Sequence, residues 1–124
     1  MSVNLIIGGS GFIGQHLIQA LATHYINLDI IKTENNYQYS NVKNPIDIKL
    51  DEKIDIIYNL AAIHTTPGHK YHEYFETNIK GAENICNFAR KENINSIVLT
   101  SSIAPYGTWE EAKTEKSLPV PTSA

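Results

Sequence analysis

Apolar residues along the chain come in short runs separated by stretches where they recur every three or four positions. This is the alternation expected of strands and helices succeeding one another in a parallel sheet. Val3 to Ile7 (VNLII) predicts a buried strand halted by Gly8-Gly9, after which Phe12, Ile13, Leu17, Ile18 and Leu21 share one face of a helix running to about Thr23. Ile26 to Asp29, or slightly beyond (INLDII), predicts a second strand, followed by a polar loop, KTENNYQYSN. Val42 to Ile48, interrupted by Pro45, is expected to be a short or irregular third strand. Ile54 to Leu60 (IDIIYNL) predicts a fourth strand. Tyr71 to Arg90 has helical periodicity through Tyr74, Phe75, Ile79, Ala82, Ile85, Phe88 and Ala89, and Ser96 to Ser101 predicts a fifth strand. The last 23 residues, with Pro105, Gly107, Pro119 and Pro121, read as loop. The fold class is therefore α/β.

Composition narrows the function classes. A chain of 124 residues suffices for one compact domain or part of one, and is short for an enzyme with separate cofactor and substrate lobes. Hydrophobic residues make up 42% and charged residues 19%, and no apolar run approaches the roughly 18 residues that span a bilayer, so no membrane role is expected. The net charge of -3, with Lys and Arg scattered, provides no basic stripe for a nucleic acid and favours small-molecule partners. Met1-Ser2-Val3-Asn4 carries no basic stretch ahead of an apolar one, and the single cysteine, Cys86, cannot form an internal disulfide; both point to the cytoplasm.

The chemistry begins at IIGGSGFIGQHL. Between a strand and a helix, Gly8-x-x-Gly11-x-x-Gly14 lets the backbone turn tightly and approach a pyrophosphate, while the free N–H groups and positive dipole end of the helix face the phosphates. The alternative is a glycine turn packed closely on a strand. A dinucleotide site also calls for a carboxylate about 20 residues on, at the end of the second strand, to accept hydrogen bonds from the adenosine ribose. Asp29 lies 21 residues after Gly8. If the strand instead ran on to Ile31, its end would be Lys32, which suits the 2'-phosphate of NADP. An ionised Asp inside a buried parallel strand is costly, which favours Asp29 and NAD over NADP. The expected architecture is the N-terminal part of a doubly wound Rossmann fold, sheet order 3-2-1-4-5, with the cofactor across the carboxyl ends of the strands.

GGSGFIG, NLAA, TNIKGAEN and TSSIAPYG, in this order, resemble the extended short-chain dehydrogenase/reductase family of NAD-dependent nucleotide-sugar epimerases and dehydratases, over essentially the whole chain. The resemblance implies that Gly8, Gly11, Phe12, Ile13 and Gly14 hold the cofactor with Asp29. It also implies that Asp47-Ile48 contacts the adenine ring, and that Leu60, Ala61 and Ala62 close the fourth strand beneath the dinucleotide. Asn78 would support the active-site architecture. Ser102 would be the catalytic hydroxyl that hydrogen-bonds the sugar oxygen undergoing oxidation.

In that family a Tyr-x-x-x-Lys motif carries out the proton transfer. None occurs after Ser102, and Tyr106 is followed four residues on by Glu110. The terminal TEKSLPVPTSA resembles the loop ahead of that motif, so the expectation is an N-terminal fragment (a partial NAD(P)-binding domain over 1-124, without the substrate lobe) that is itself inactive. The alternative is a non-catalytic dinucleotide-binding module or an inactive fragment that self-associates. An exposed apolar fifth strand at the sheet edge predicts a homodimer or other self-association. His64, His69 and His72 lack a further ligand at convincing spacing, so no metal is expected, and Cys86 is assigned no chemistry.

Overall fold

The computed structural model describes residues 2–21, 24–64, 68–108 and 111–121. Five parallel strands form one sheet: β1 (Ser2–Ile7), β2 (Tyr25–Asp29), β3 (Tyr37–Tyr39), β4 (Lys53–Asn59) and β5 (Ser96–Leu99), in the order β3-β2-β1-β4-β5. Helix α1 (Phe12–Leu21) follows β1, and the expected end near Thr23 lies outside the described residues. Between β4 and β5 the chain forms α2 (Tyr71–Tyr74), a π-helical stretch (Phe75–Lys80) and α3 (Gly81–Lys91). The expected single helix from Tyr71 to Arg90 is thus continuous in direction but widened in its middle, where the Gly81 N–H reaches back five residues to Glu76 O. Val3, Leu5 and Ile7 of β1 pack with Leu28, Ile54 and Ile57 of the neighbouring strands and with Ile85, Phe88 and Ala89 of α3. Among the described residues no helix is long and apolar enough to cross a membrane.

The third strand is not where hydrophobicity placed it. Tyr37–Tyr39, inside the supposed polar loop, pairs with Asn27, Leu28 and Asp29 of β2. Val42 to Ile48 instead begins with a turn, in which Asn44 N–H donates to Asn41 O and Lys43 N–H to Asn41 Oδ1, and Pro45 has no N–H for a ladder. Val42 and Ile46 are apolar because they are buried in the core with α3. β5 stops at Leu99, two residues short of expectation, and Ile97, Val98 and Leu99 on this edge strand are all exposed. Among the described residues beyond it the chain is irregular apart from turns, one of them the 3-10 turn at Ala104–Tyr106.

Candidate cofactor site

The site assembles at the carboxyl ends of β1, β2 and β4. After Ile7 the chain turns at Gly8, whose φ of +84° belongs to the left-handed region that favours glycine. A Cβ there would stand 2.7 Å from the Ala61 backbone nitrogen, so the glycine turn and the Leu60-Ala61 segment cross in backbone contact. β2 acts as a template for the turn: Gly8 N–H donates to Leu28 O (2.8 Å), Gly9 N–H to Asn27 Oδ1 (3.0 Å) and Ser10 N–H to Asp29 Oδ2 (3.0 Å). Three successive N–H groups are thereby satisfied within the protein. The next three, of Gly11, Phe12 and Ile13, meet no acceptor among the described residues and open the first turn of α1.

Gly14 is buried against Gly9, where a Cβ would come within 2.5 Å of the Gly9 carbonyl oxygen. Gly11 differs from both. Its backbone is not left-handed, and a Cβ would meet nothing nearer than Gly8 O at 3.7 Å. The protein itself gives no reason for glycine there, whereas a ligand approaching the free N–H groups does. The residues at the turn thus fit an anionic pyrophosphate.

Asp29 ends β2, and Lys32 lies exposed in the loop beyond it. Besides Ser10 N–H, the Asp29 carboxylate accepts from Ile31 N–H (3.1 Å). Tyr37, whose hydroxyl donates to Asp29 O (3.1 Å), has its pKa pushed above the usual tyrosine range by burial first, then by the Asp29 charge and by Tyr39. At the end of β4, Asn59 Oδ1 accepts from Ala61 N–H (3.2 Å), which bends the strand into the Leu60-Ala61-Ala62 segment. Asn78, in the π-helical stretch, grips both polar groups of Ile63: its Oδ1 accepts from Ile63 N–H (2.9 Å) and its Nδ2 donates to Ile63 O (3.0 Å). It is a positioning residue for this segment. Asn78→Ala is expected to cost about 1 kcal/mol, and the loss of exchange protection at the Ile63 amide would reveal it.

Ser102 follows β5 on the same edge of the sheet, exposed, with its Oγ accepting from Ala104 N–H (3.0 Å) and its proton available to donate outward. Because β3 ends at Tyr39, Asp47 lies well down the connection to β4, in a recess of about 380 Å³ with Asn84, Asn87, Phe88 and Lys91 along α3. Ile48 is half-buried against the core. The residues that follow β3 at the carboxyl edge are Ser40 and Asn41. His69 faces Glu73 (3.7 Å), and the Glu73 carboxyl is held below its usual range chiefly by the Lys70 backbone N–H. Sequence reasoning missed Asn27, although a polar residue amid the apolar positions of a strand was the available signal.

Comparison with known proteins agrees with this geometry. The family described as "NAD dependent epimerase/dehydratase family" matches residues 4–124. The chain is 27% identical over 110 residues to an N-acetyl-alpha-D-glucosaminyl-diphospho-ditrans,octacis-undecaprenol 4-epimerase of Escherichia coli O157:H7, covering 83% of this chain and 33% of that protein. It is also 27% identical over 119 residues to a UDP-glucose 4-epimerase of Lactobacillus helveticus, covering 83% and 36%. Among solved structures, UDP-glucuronic acid 4-epimerase from Bacillus cereus in complex with NAD superposes with a TM-score of 0.76 at 26% identity, covering 99% of this chain and 47% of that one. The chain therefore spans between a third and a half of the length of these relatives.

Proposed function

Because the chain belongs to the NAD dependent epimerase/dehydratase family, we propose that it forms the cofactor-binding part of an NAD-dependent nucleotide-sugar epimerase or dehydratase. The open space at Gly11, beside three N–H groups without acceptors, carries this reading. When bound, NAD would take a hydride from the carbon that bears a sugar hydroxyl, while the hydroxyl proton would pass to a base such as the tyrosine of the family's Tyr-x-x-x-Lys motif, leaving the sugar in a keto form. This chain's residues bind and orient. Gly8 and Gly14 shape the turn, Gly11, Phe12 and Ile13 offer N–H donors to the pyrophosphate, and Asp29 accepts from the adenosine ribose. Leu60, Ala61 and Ala62 form the floor that Asn78 steadies through Ile63, and the Ser102 hydroxyl donates to the sugar oxygen.

NAD is preferred to NADP in this reading, since a 2'-phosphate would stand against the Asp29 carboxylate. Titration calorimetry should show NAD bound at least roughly tenfold more tightly than NADP. A folded chain that binds neither would overturn the proposal. Interconversion of UDP-sugars by a protein containing this chain tests the epimerase reading, and NAD binding without any turnover would support a non-catalytic module. The protein's place in the cytoplasm rests on its lone cysteine and its composition.

Self-association through β5 is a second element of the proposal. Ile97, Val98 and Leu99 are exposed on an edge strand with no charged or proline residue to blunt it. Light scattering should show dimers or larger species, and Val98→Lys should shift them towards monomer. A monodisperse monomer at high concentration counts against it.

A further inference from the structure

Asn27 is the one polar residue among the largest fully buried side chains of the described residues, at 0% exposure. It stands between Ile26 and Leu28, where an aliphatic side chain would serve the core. A buried carboxamide is tolerated only when its donors and acceptors are met. Here Oδ1 accepts from Gly9 N–H at 3.0 Å, and Nδ2 donates both to Ser10 Oγ at 3.3 Å and to Thr33 Oγ1 at 3.2 Å. The Ser10 hydroxyl passes the chain on, donating to Ile31 O at 2.8 Å. One side chain thus bonds two residues of the glycine turn and one residue of the loop after β2.

We propose that Asn27 is a positioning residue for dinucleotide binding, its buried carboxamide locking the Gly9-Ser10 turn to the Ile31–Thr33 loop so that the pyrophosphate and adenosine ends of the site hold one geometry. The inference rests on the cofactor reading above. Its physical content is the orientation of two peptide units. With Gly9 N–H turned to Asn27 and Ser10 N–H to Asp29, the following N–H groups are left to face the anion. The packing is correspondingly tight, since a Cβ on Gly9 would stand 2.5 Å from Asn27 Oδ1. Without the carboxamide, Gly9 N–H would be buried without a partner, and the turn would rotate to satisfy it.

Asn27→Val removes all three bonds, whereas Thr33→Val removes only the distal one and leaves the turn's own contacts in place. Measured by calorimetry on chain shown to be folded by circular dichroism, NAD affinity should fall roughly tenfold or more in Asn27→Val and about threefold in Thr33→Val. Thr33→Ser, which keeps the hydroxyl, should bind as the unchanged protein does. In the absence of NAD, the Gly9 and Ser10 amides should exchange faster in Thr33→Val. A purely structural Asn27 would lower thermal stability while folded molecules bound NAD unchanged, and that result overturns the proposal. If Asn27→Val does not fold, Thr33→Val decides: unaltered affinity and unaltered exchange overturn it. If the unchanged chain binds no NAD, the cofactor reading fails, and the exchange rates alone still decide whether Asn27 locks the two segments.

Discussion

Gly14→Ala should lose stability on the order of 3 kcal/mol while Gly11→Ala should lose almost none, and yet both should lose NAD. The two glycines belong to one motif, with different reasons for lacking a side chain. A methyl group on Gly14 would be driven into the Gly9 backbone, 2.5 Å from its carbonyl oxygen. Neither partner is the end of a flexible side chain, so α1 must move away from β1 to make room. For a chain of this size the loss corresponds to a fall of roughly 10 °C or more in the thermal midpoint, which calorimetry would read directly.

Gly11 stands just before α1, where Gln15 N–H donates to its carbonyl oxygen at 3.0 Å. Alanine at such a helix-start position costs less than about 1 kcal/mol, and the nearest atom to its methyl is 3.7 Å away, in ordinary contact. The same methyl would stand in the space through which a pyrophosphate approaches the N–H groups of Phe12 and Ile13. Affinity for NAD should fall by roughly 10- to 100-fold at nearly unchanged stability. Unchanged affinity in Gly11→Ala would mean that the open space at this position serves no ligand.

The sequence carried the glycine turn, Asp29 and the sheet order because each leaves a local mark. Gly8-x-x-Gly11-x-x-Gly14 between an apolar run and a helical stripe has few meanings, and parallel order follows from strands alternating with helices. The third strand was misplaced because Tyr37-Gln38-Tyr39 lies on the sheet edge and needs no long apolar run. Val42, Ile46 and Ile48 imitate a strand while serving as packing for α3. Asp47 and Ile48 accordingly lie beyond the third strand, on the connection to β4. Asn78 was legible as a motif residue, but its grip on Ile63 was not, because the π-helical widening that aims it has no pattern in the residues themselves. Asn27 was hidden by its company: inside INLD the flanking apolar residues dominate the reading, and its partners lie in the turn before it and the loop after it.

Asp29→Ala should reduce NAD affinity by roughly 100-fold, the largest loss expected of any side-chain substitution at the site. The carboxylate works in two directions. Inward, it accepts from Ser10 N–H and Ile31 N–H, bonds that are stronger for being made to a charged acceptor. Outward, it is the group proposed to accept from the ribose hydroxyls. Alanine removes both, so the turn loosens as the ribose contact disappears, with a stability cost of about 2 kcal/mol for the two N–H groups left without an acceptor. Asp29→Asn separates the two effects. Its carbonyl oxygen still accepts one of the inner bonds, but without charge it no longer repels a 2'-phosphate, and Lys32 stands nearby in the loop. The NAD to NADP preference should therefore shrink more than the stability does. An internal control comes from Tyr37, since the Asp29 charge is the second cause, after burial, of its raised pKa. In both variants the Tyr37 hydroxyl should titrate at lower pH than in the unchanged chain, as ultraviolet absorbance would show without any cofactor present. A Tyr37 titration that moved with no change in NAD affinity would mean that Asp29 shapes the turn electrostatically but does not meet the ribose.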